Sequence, residues 1–378
     1  MELFFATNRN HEGADRWNPT GYGSKFSDDG MENLRFGKVV VDADTAKVAD
    51  CLNTTGKYGT GNGIELADYL SGLVAMAVIT PFPETIPDPK ISEIHQPGTV
   101  VLGSKAMFAE IKSLMENKTD VILYIHGFNV TWGEAVGSAL ALQEMLNASA
   151  EKDPKQDVLV VLLTWPSDGQ ALPFVSYKSD RSDAKGSSGA IGRGLLKLRD
   201  FLQEFCKKTQ NPCGQNIHLL CHSMGNYVLQ EALQRVSDFS PGSSLPRIFE
   251  NIFMCAPDVD DTVFETGNQM EHLPELARWI TVYYNRQDKA MYVSDYTKGN
   301  PERLGCSGAA HPGLLHNKIN QVDCTPIVVG EGLVEHSYYQ VGLVNEDIRM
   351  SSDGVPFADP KRKRVNSSQL PNVWVMKG

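Results

Sequence analysis

The residues best suited to do chemistry surround a serine. Leu220-Cys221-His222-Ser223-Met224-Gly225-Asn226 lies between an apolar run, Asn216–Cys221, and a helical pattern from about Gly225 to Ser237. A serine on a tight strand-to-helix turn has strained backbone angles that push its hydroxyl out at the C-terminal edge of a sheet. The positions two before and two after it must be small, because strand and helix approach closely there. The second is Gly225; the first, where glycine is usual, is Cys221. A helix-initiating Ser-Met-Gly turn with no chemical role is the plainer alternative.

A serine hydroxyl is a poor nucleophile until a base takes its proton, and the base needs an acid to orient it. Doubly wound hydrolases place the three in the chain order Ser, acid, His. Asp288 follows the apolar run Trp279–Tyr284, which puts a carboxylate in the loop leaving that strand. His336, in Val334-Glu-His336-Ser-Tyr-Tyr, comes 48 residues later and is the candidate base. Asp258, in Ala256-Pro-Asp258-Val-Asp260-Asp261, competes for the acid role; the alternative is that it lines the pocket or caps a helix.

A tetrahedral intermediate needs two backbone N–H donors aimed at its oxyanion. Met224, directly after the serine, would supply one. Phe128, in the loop His126-Gly127-Phe128-Asn129, would supply the other, with Gly127 letting the backbone approach a substrate without a Cβ in the way. His126, Gly127, Asn129, Trp165, His222 and Asp258 are the candidate substrate contacts. Phe128, Trp132, Trp165 and Tyr227 are candidate apolar pocket walls. Cys306, His311, His316 and Cys324 match no zinc template, and a Cys306–Cys324 disulfide or a plain loop is the expectation there. No metal is therefore expected, and since no G-x-G-x-x-G follows a strand and no Walker lysine motif occurs, nucleotide chemistry is not expected either.

These residues must be positioned by alternating strands and helices. From about residue 100 the pattern is βαβα, which argues for a parallel sheet covered on both faces. Asp120–Ile125 and Asp157–Thr164 are continuously apolar, the mark of strands buried on both sides. Helices are expected over Ala106–Glu116, over Trp132–Leu146 with Thr131 as its N-cap and Glu134 three residues on, and over Leu195–Lys207. A long polar stretch separates Ser167 from Ser188. Further strands are expected at Asn251–Cys255 and Trp279–Tyr284, and a last one at Pro326–Val329. Residues 1–100 read as an N-terminal extension packed on the core, with a strand-like Lys38–Val41. Residues 101–350 read as the core, with a lid-like insertion over about 297–325, and residues 351–378 as a C-terminal tail.

Several segments together resemble a known family: Tyr124-Ile-His-Gly-Phe-Asn129, Thr164-Trp-Pro-Ser167, Tyr177 to Asp180, His222-Ser-Met-Gly-Asn226, Ala256-Pro-Asp-Val-Asp260, Arg286-Gln-Asp-Lys-Ala290 and His336-Ser-Tyr-Tyr339. In this order they are similar to a bacterial α/β-hydrolase branch, esterase- or lipase-like and of unknown function, over about residues 100–345. The resemblance implies an eight-stranded, mostly parallel sheet, no cofactor, and Ser223, Asp288 and His336 as nucleophile, acid and base of an acyl-ester hydrolase. Acyl transfer or amide cleavage on the same triad is the alternative, as is a non-catalytic member that only binds a ligand.

Composition narrows the partners. The 378 residues carry 35 Lys+Arg against 46 Asp+Glu, a net charge of −11. Nucleic acid needs a basic stripe, and the one dense basic run, Lys361–Arg364, reads as a solvated surface segment. The expected partner is a small-molecule or lipid-like ester, with no nucleic acid and no membrane-spanning segment. The first residues read as a strand and not a signal peptide, which suggests a cytoplasmic protein, though a trimmed exported form would look the same. Among the seven cysteines, Cys221 and Cys255 read as buried thiols, and Cys206 and Cys213 are close enough to pair in an oxidising compartment.

Overall fold

The structure is a computed structural model and describes all residues except 86–100, 117–118, 150–156, 168–172, 209–214, 240–246, 292–301, 329–334 and 368–369. The chain begins with β1 (Glu2–Thr7), the antiparallel pair β2 (Arg9–Glu12) and β3 (Gly21–Phe26), β4 (Arg35–Val40) and α1 (Thr45–Asn53). A short pair, β5 (Thr55–Gly56) and β6 (Gly59–Thr60), leads to α2 (Gly63–Leu73), β7 (Val78–Pro81) and α3 (Gly103–Glu116). Alternation then sets in with β8 (Thr119–Ile125), α4 (Trp132–Ala148), β9 (Asp157–Thr164), α5 (Pro173–Lys208), β10 (Ile217–His222) and α6 (Gly225–Phe239). It continues with β11 (Phe249–Cys255), α7 (Leu273–Leu276), β12 (Ala277–Tyr284), α8 (Leu304–Ser307), β13 (Ile319–Asp323), α9 (Gly342–Ser352), β14 (Arg364–Asn366) and β15 (Val373–Met376).

Eleven strands form one sheet in the order β14-β15-β13-β12-β11-β10-β8-β9-β1-β4-β7. Strands β14 and β4 run against the rest, and the edge strand β7, antiparallel to β4, again runs in the direction of the parallel strands. The apolar runs alternate between two buried layers, as a sheet covered on both faces requires. Tyr124, Leu220 and Phe253 pack with Leu66 and Leu70 of α2 and Leu140 of α4. Leu123, Leu219, Cys221 and Met254 pack on the opposite face with Ile111 of α3, Leu195 of α5 and Val228 of α6.

Register, more than helix placement, assembles the site. Cys221 pairs with Ile125, His222 with Cys255, Cys255 with Tyr283, and Tyr284 with Asp323. The C-terminal ends of β8, β10, β11, β12 and β13 are therefore level, and the loops leaving them open onto one edge of the sheet.

Four sequence expectations change. Among the described residues the last strand before His336 is Ile319–Asp323, inside the stretch expected as an insertion, whereas Pro326 to Val328 lie in a turn whose Ile327 and Val328 are buried, and residue 329 lies outside the described residues. Residues 351–378 add β14 and β15 to the sheet, β15 lying parallel to β13. The polar stretch before Ser188 belongs from Pro173 onward to the 36-residue α5. Finally, among the described residues the sheet has eleven strands and not eight: β8 to β13 come from the expected core, β1, β4 and β7 from the N-terminal segment, and β14 and β15 from the C-terminal one.

Candidate active site

Ser223 sits at the turn between β10 and α6 with φ +52°, the left-handed region that a side chain avoids unless its surroundings hold it there. The holding bonds are visible. Its N–H donates to Cys255 O at 2.9 Å, and its carbonyl accepts from Asp258 N at 3.1 Å and Asn226 N at 3.0 Å. The Asn226 amide donates to Cys221 O at 3.0 Å and Ser223 O at 3.1 Å, lacing the turn shut. A Cβ on Gly225 would lie 2.5 Å from Ile125 O and 2.7 Å from His126 O, backbone atoms that cannot yield. Cys221 fills the other small position; it is fully buried on the face away from α2, and burial pushes its thiol pKa up.

The Asp288 and His336 side chains meet. His336 Nδ1 lies 2.7 Å from Asp288 Oδ2. Asp288 is fully buried, and its Oδ1 accepts from Ala290 N at 3.0 Å and Met291 N at 3.3 Å. The two loops are tied twice more: Asn285 Nδ2 donates to Glu335 O at 2.8 Å, and Lys289 Nζ lies 3.1 Å from Glu335 Oε1. Burial opposes a charge on His336, but the Asp288 carboxylate, by charge and hydrogen bond, outweighs it, with Asp258 adding to the effect. The imidazole pKa is therefore held above its ordinary value.

Asp258, the rival acid, is buried elsewhere in the site. Tyr177 Oη donates to its Oδ2 at 2.8 Å, and Arg303 Nε is 3.5 Å from its Oδ1. It acts on His336 through space, while Asp288 holds the hydrogen bond.

Ser223 and His336 line the same cleft, of about 790 Å³, together with Gly127, Phe128, Asn129, His222 and Asp288. Ser223 is 1% exposed, and among the described residues its Oγ has no hydrogen-bond partner. No hydrogen bond joins the Ser223 hydroxyl to the His336 imidazole.

The loop after β8 is anchored from behind. Asn129, at φ +56°, donates its N–H to Asp180 Oδ2 of α5 at 2.7 Å. Ser167 Oγ also donates to Asp180 and accepts from Val130 N at 3.1 Å. Buried Arg9 reaches across from β2 to Val130 O at 2.7 Å and Thr164 Oγ1 at 2.9 Å. Gly127 must be glycine, since a Cβ there would come within 2.9 Å of Ser223 Cβ.

Other candidates sit elsewhere. His126 is buried behind the loop, with Nε2 2.8 Å from Thr164 Oγ1 and its ring stacked on fully buried Trp165. Burial and the Arg9 charge lower its pKa to about 3, so it stays neutral. Trp132 packs on Phe5 and Tyr22, and Tyr227 lies under Arg181, so neither forms the wall expected of it. His222 does line the cleft, its Nε2 3.3 Å from His336 O, and burial together with the neighbouring His336 keeps it neutral. Met224 is fully buried beside the serine.

Sequence reasoning missed the wall opposite: Asn62, Ile64, Glu65, Ala67, Asp68 and Ser71 from α2 and its N-cap, and Glu134 and Ser138 from α4. It also missed the anchors Arg9 and Asn285.

Cys306 and Cys324 are both thiols, not a disulfide; their sulfurs face Arg286 O and Val322 O. His311 pairs with Glu265 instead, and His316 accepts from Lys318 N. Among the described residues no three His, Cys, Asp or Glu side chains gather as a metal site. The Cys206–Cys213 pairing lies outside the described side chains.

A family model described as alpha/beta hydrolase of unknown function (DUF900) matches residues 104–345. The chain belongs to that family. The match runs from α3 into α9 and so takes in Ser223, Asp288 and His336, whereas α2 and its cleft wall fall outside it. No curated protein matches the chain. Among the described residues, no helix of this hydrolase is long and apolar enough to cross a membrane.

Proposed function

We propose that the protein is a serine hydrolase that cleaves carboxylic esters through an acyl-enzyme. The observation that carries this is a strained, partnerless Ser223 hydroxyl in the same cleft as an imidazole whose Nδ1 is engaged by a buried carboxylate. With Nδ1 taken by Asp288, Nε2 is the nitrogen left to act on the serine.

In the reaction Ser223 Oγ attacks the ester carbonyl and gives its proton to His336. The resulting imidazolium is stabilised by Asp288. The oxyanion is met by the backbone N–H groups of Met224 and Phe128. Collapse expels the alcohol, which takes the proton from His336. Water then repeats the sequence on the acyl-enzyme, with His336 again the base. No cofactor enters any step.

A fluorophosphonate probe is expected to label the protein once, and Ser223→Ala to abolish labelling. A panel of p-nitrophenyl esters of rising acyl length is expected to show turnover that Ser223→Ala and His336→Ala lower by at least three orders of magnitude. Absence of both labelling and turnover would leave the non-catalytic, ligand-binding alternative standing.

A further inference from the structure

The wall facing Ser223 is charged in one sense. Ile64, Ala67, Asp68 and Ser71 recur at helical spacing, so a single face of α2 looks into the cleft. Glu65 extends that face, and Glu134 and Ser138, four residues apart on α4, continue it. Among the described residues the cleft's other carboxylates are partnered: Asp288 is hydrogen-bonded to His336, and Glu335 lies against Lys289. Glu65, Asp68 and Glu134 are left without a cation among the described residues. Glu65 accepts from the Asn62 amide and Glu134 from the Thr131 N–H and hydroxyl, all neutral donors. Asp68 is exposed and makes no hydrogen bond or ion pair among them. The same cavity holds the buried, partnerless Ser223 hydroxyl, which marks it as a place where a ligand's polar group is expected.

A concave surface bearing one sign of charge focuses its field and raises the local concentration of the opposite sign. We infer that the preferred substrate is a cationic ester, carrying an ammonium group on the part of the molecule that lies along this wall. The acyl carbon sits at Ser223 while the cation lies along Glu65, Asp68 and Glu134. Anionic esters and acidic lipid headgroups are repelled by the same wall. This inference rests on the serine-hydrolase reading above and adds its substrate class.

The test uses three p-nitrophenyl esters of equal acyl length that end in a trimethylammonium, a tert-butyl or a sulfonate group. At about 10 mM ionic strength, where the screening length is roughly 30 Å, kcat/KM is expected to rank cationic, neutral, anionic, with about tenfold or more between the extremes. At about 0.5 M salt the spread is expected to shrink severalfold. Asp68→Asn, and Asp68→Asn with Glu65→Gln, are expected to reduce the cationic-to-neutral ratio about threefold or more. A purely structural effect would lower all three rates together. Equal rates for the three esters, or ratios unmoved by the substitutions, overturn the inference while leaving the hydrolase intact. If no ester turns over, the rate of fluorophosphonate labelling by charged and neutral probes provides the same ratio. If Ser223 does not react at all, the hydrolase reading itself falls.

Discussion

At the scale of single residues, the site is a set of groups whose charges are fixed by burial and by one carboxylate. In the proposed reaction His336 must be neutral to take the serine proton, and its pKa is held above the ordinary value by Asp288. The value of kcat/KM is therefore expected to rise with pH through an apparent pKa above about 6.5, set by the free enzyme. Asp288→Asn removes the dominant counter-charge and leaves burial, so the midpoint falls; the rate is also expected to fall about 10⁴-fold, because the imidazole loses its orientation. A pH–rate profile of both proteins checks the pair of outcomes, and an unshifted midpoint in the variant would refute the assignment of Asp288. His126 gives a stability prediction of opposite sense. Its folded pKa of about 3 lies below its unfolded value, so the unfolded chain binds a proton first. The stability it supports is complete above about pH 6.5 and is lost as pH falls toward 3, at up to about 1.4 kcal/mol per pH unit. Denaturant midpoints measured from pH 7 to 4 are expected to decline accordingly, and less steeply in His126→Gln.

At the scale of elements, two contacts set the geometry. The turn after β10 crosses β8 so closely that Gly225→Ala forces a methyl onto two carbonyl oxygens. We expect a loss of about 1–3 kcal/mol in urea unfolding, with activity lost more than proportionally. Helix α5 reaches the loop after β8 through Asp180, which binds both Asn129 N–H and Ser167. Asp180→Asn puts an amide where a carboxylate accepted two donors. It is expected to lower kcat about 10- to 100-fold while KM for a neutral ester moves less, the pattern of a displaced oxyanion donor. The elements differ in how legible they were. Asp157–Thr164, apolar throughout from Val158 to Leu163, became β9 with the same bounds, because a strand buried on both faces has no polar side to show. Strand β13 was hidden by Asn320 and Gln321. Both are buried, yet Asn320 Oδ1 accepts from Trp374 Nε1 and Gln321 Oε1 from Ala309 N, partners remote in sequence. Apolar Ile327 and Val328 suggested a strand but fill a turn against the core. The elbow was readable because its constraints are local; the α2 wall was not, because nothing near residue 65 announces residue 223.

At the scale of the whole molecule, the C-terminal segment closes the sheet. Arg362 Nε and Arg364 NH1 lie 2.8 and 3.0 Å from the two oxygens of fully buried Asp347, which also accepts from Tyr283 Oη at 2.7 Å. The run Lys361–Arg364 is thus half interior, not the solvated patch that its composition suggested. Arg364→Ala leaves a buried carboxylate short of a partner and is expected to cost about 3–5 kcal/mol, whereas Lys361→Ala should cost little. Thermal denaturation of the two variants separates them. The N-terminal segment has a different consequence. Gly63 and Gly342 lie so near Gln340 O and Thr60 O that no side chain fits between, and Leu343 N donates to Tyr58 O at 2.8 Å. The helix that lines the cleft is therefore riveted to the stretch of chain just beyond the His336 imidazole. Anyone wishing to retune what this pocket accepts should exchange side chains along residues 64–71 and leave the length of 54–62 alone, since one added residue there would slide the His336 segment off its mark.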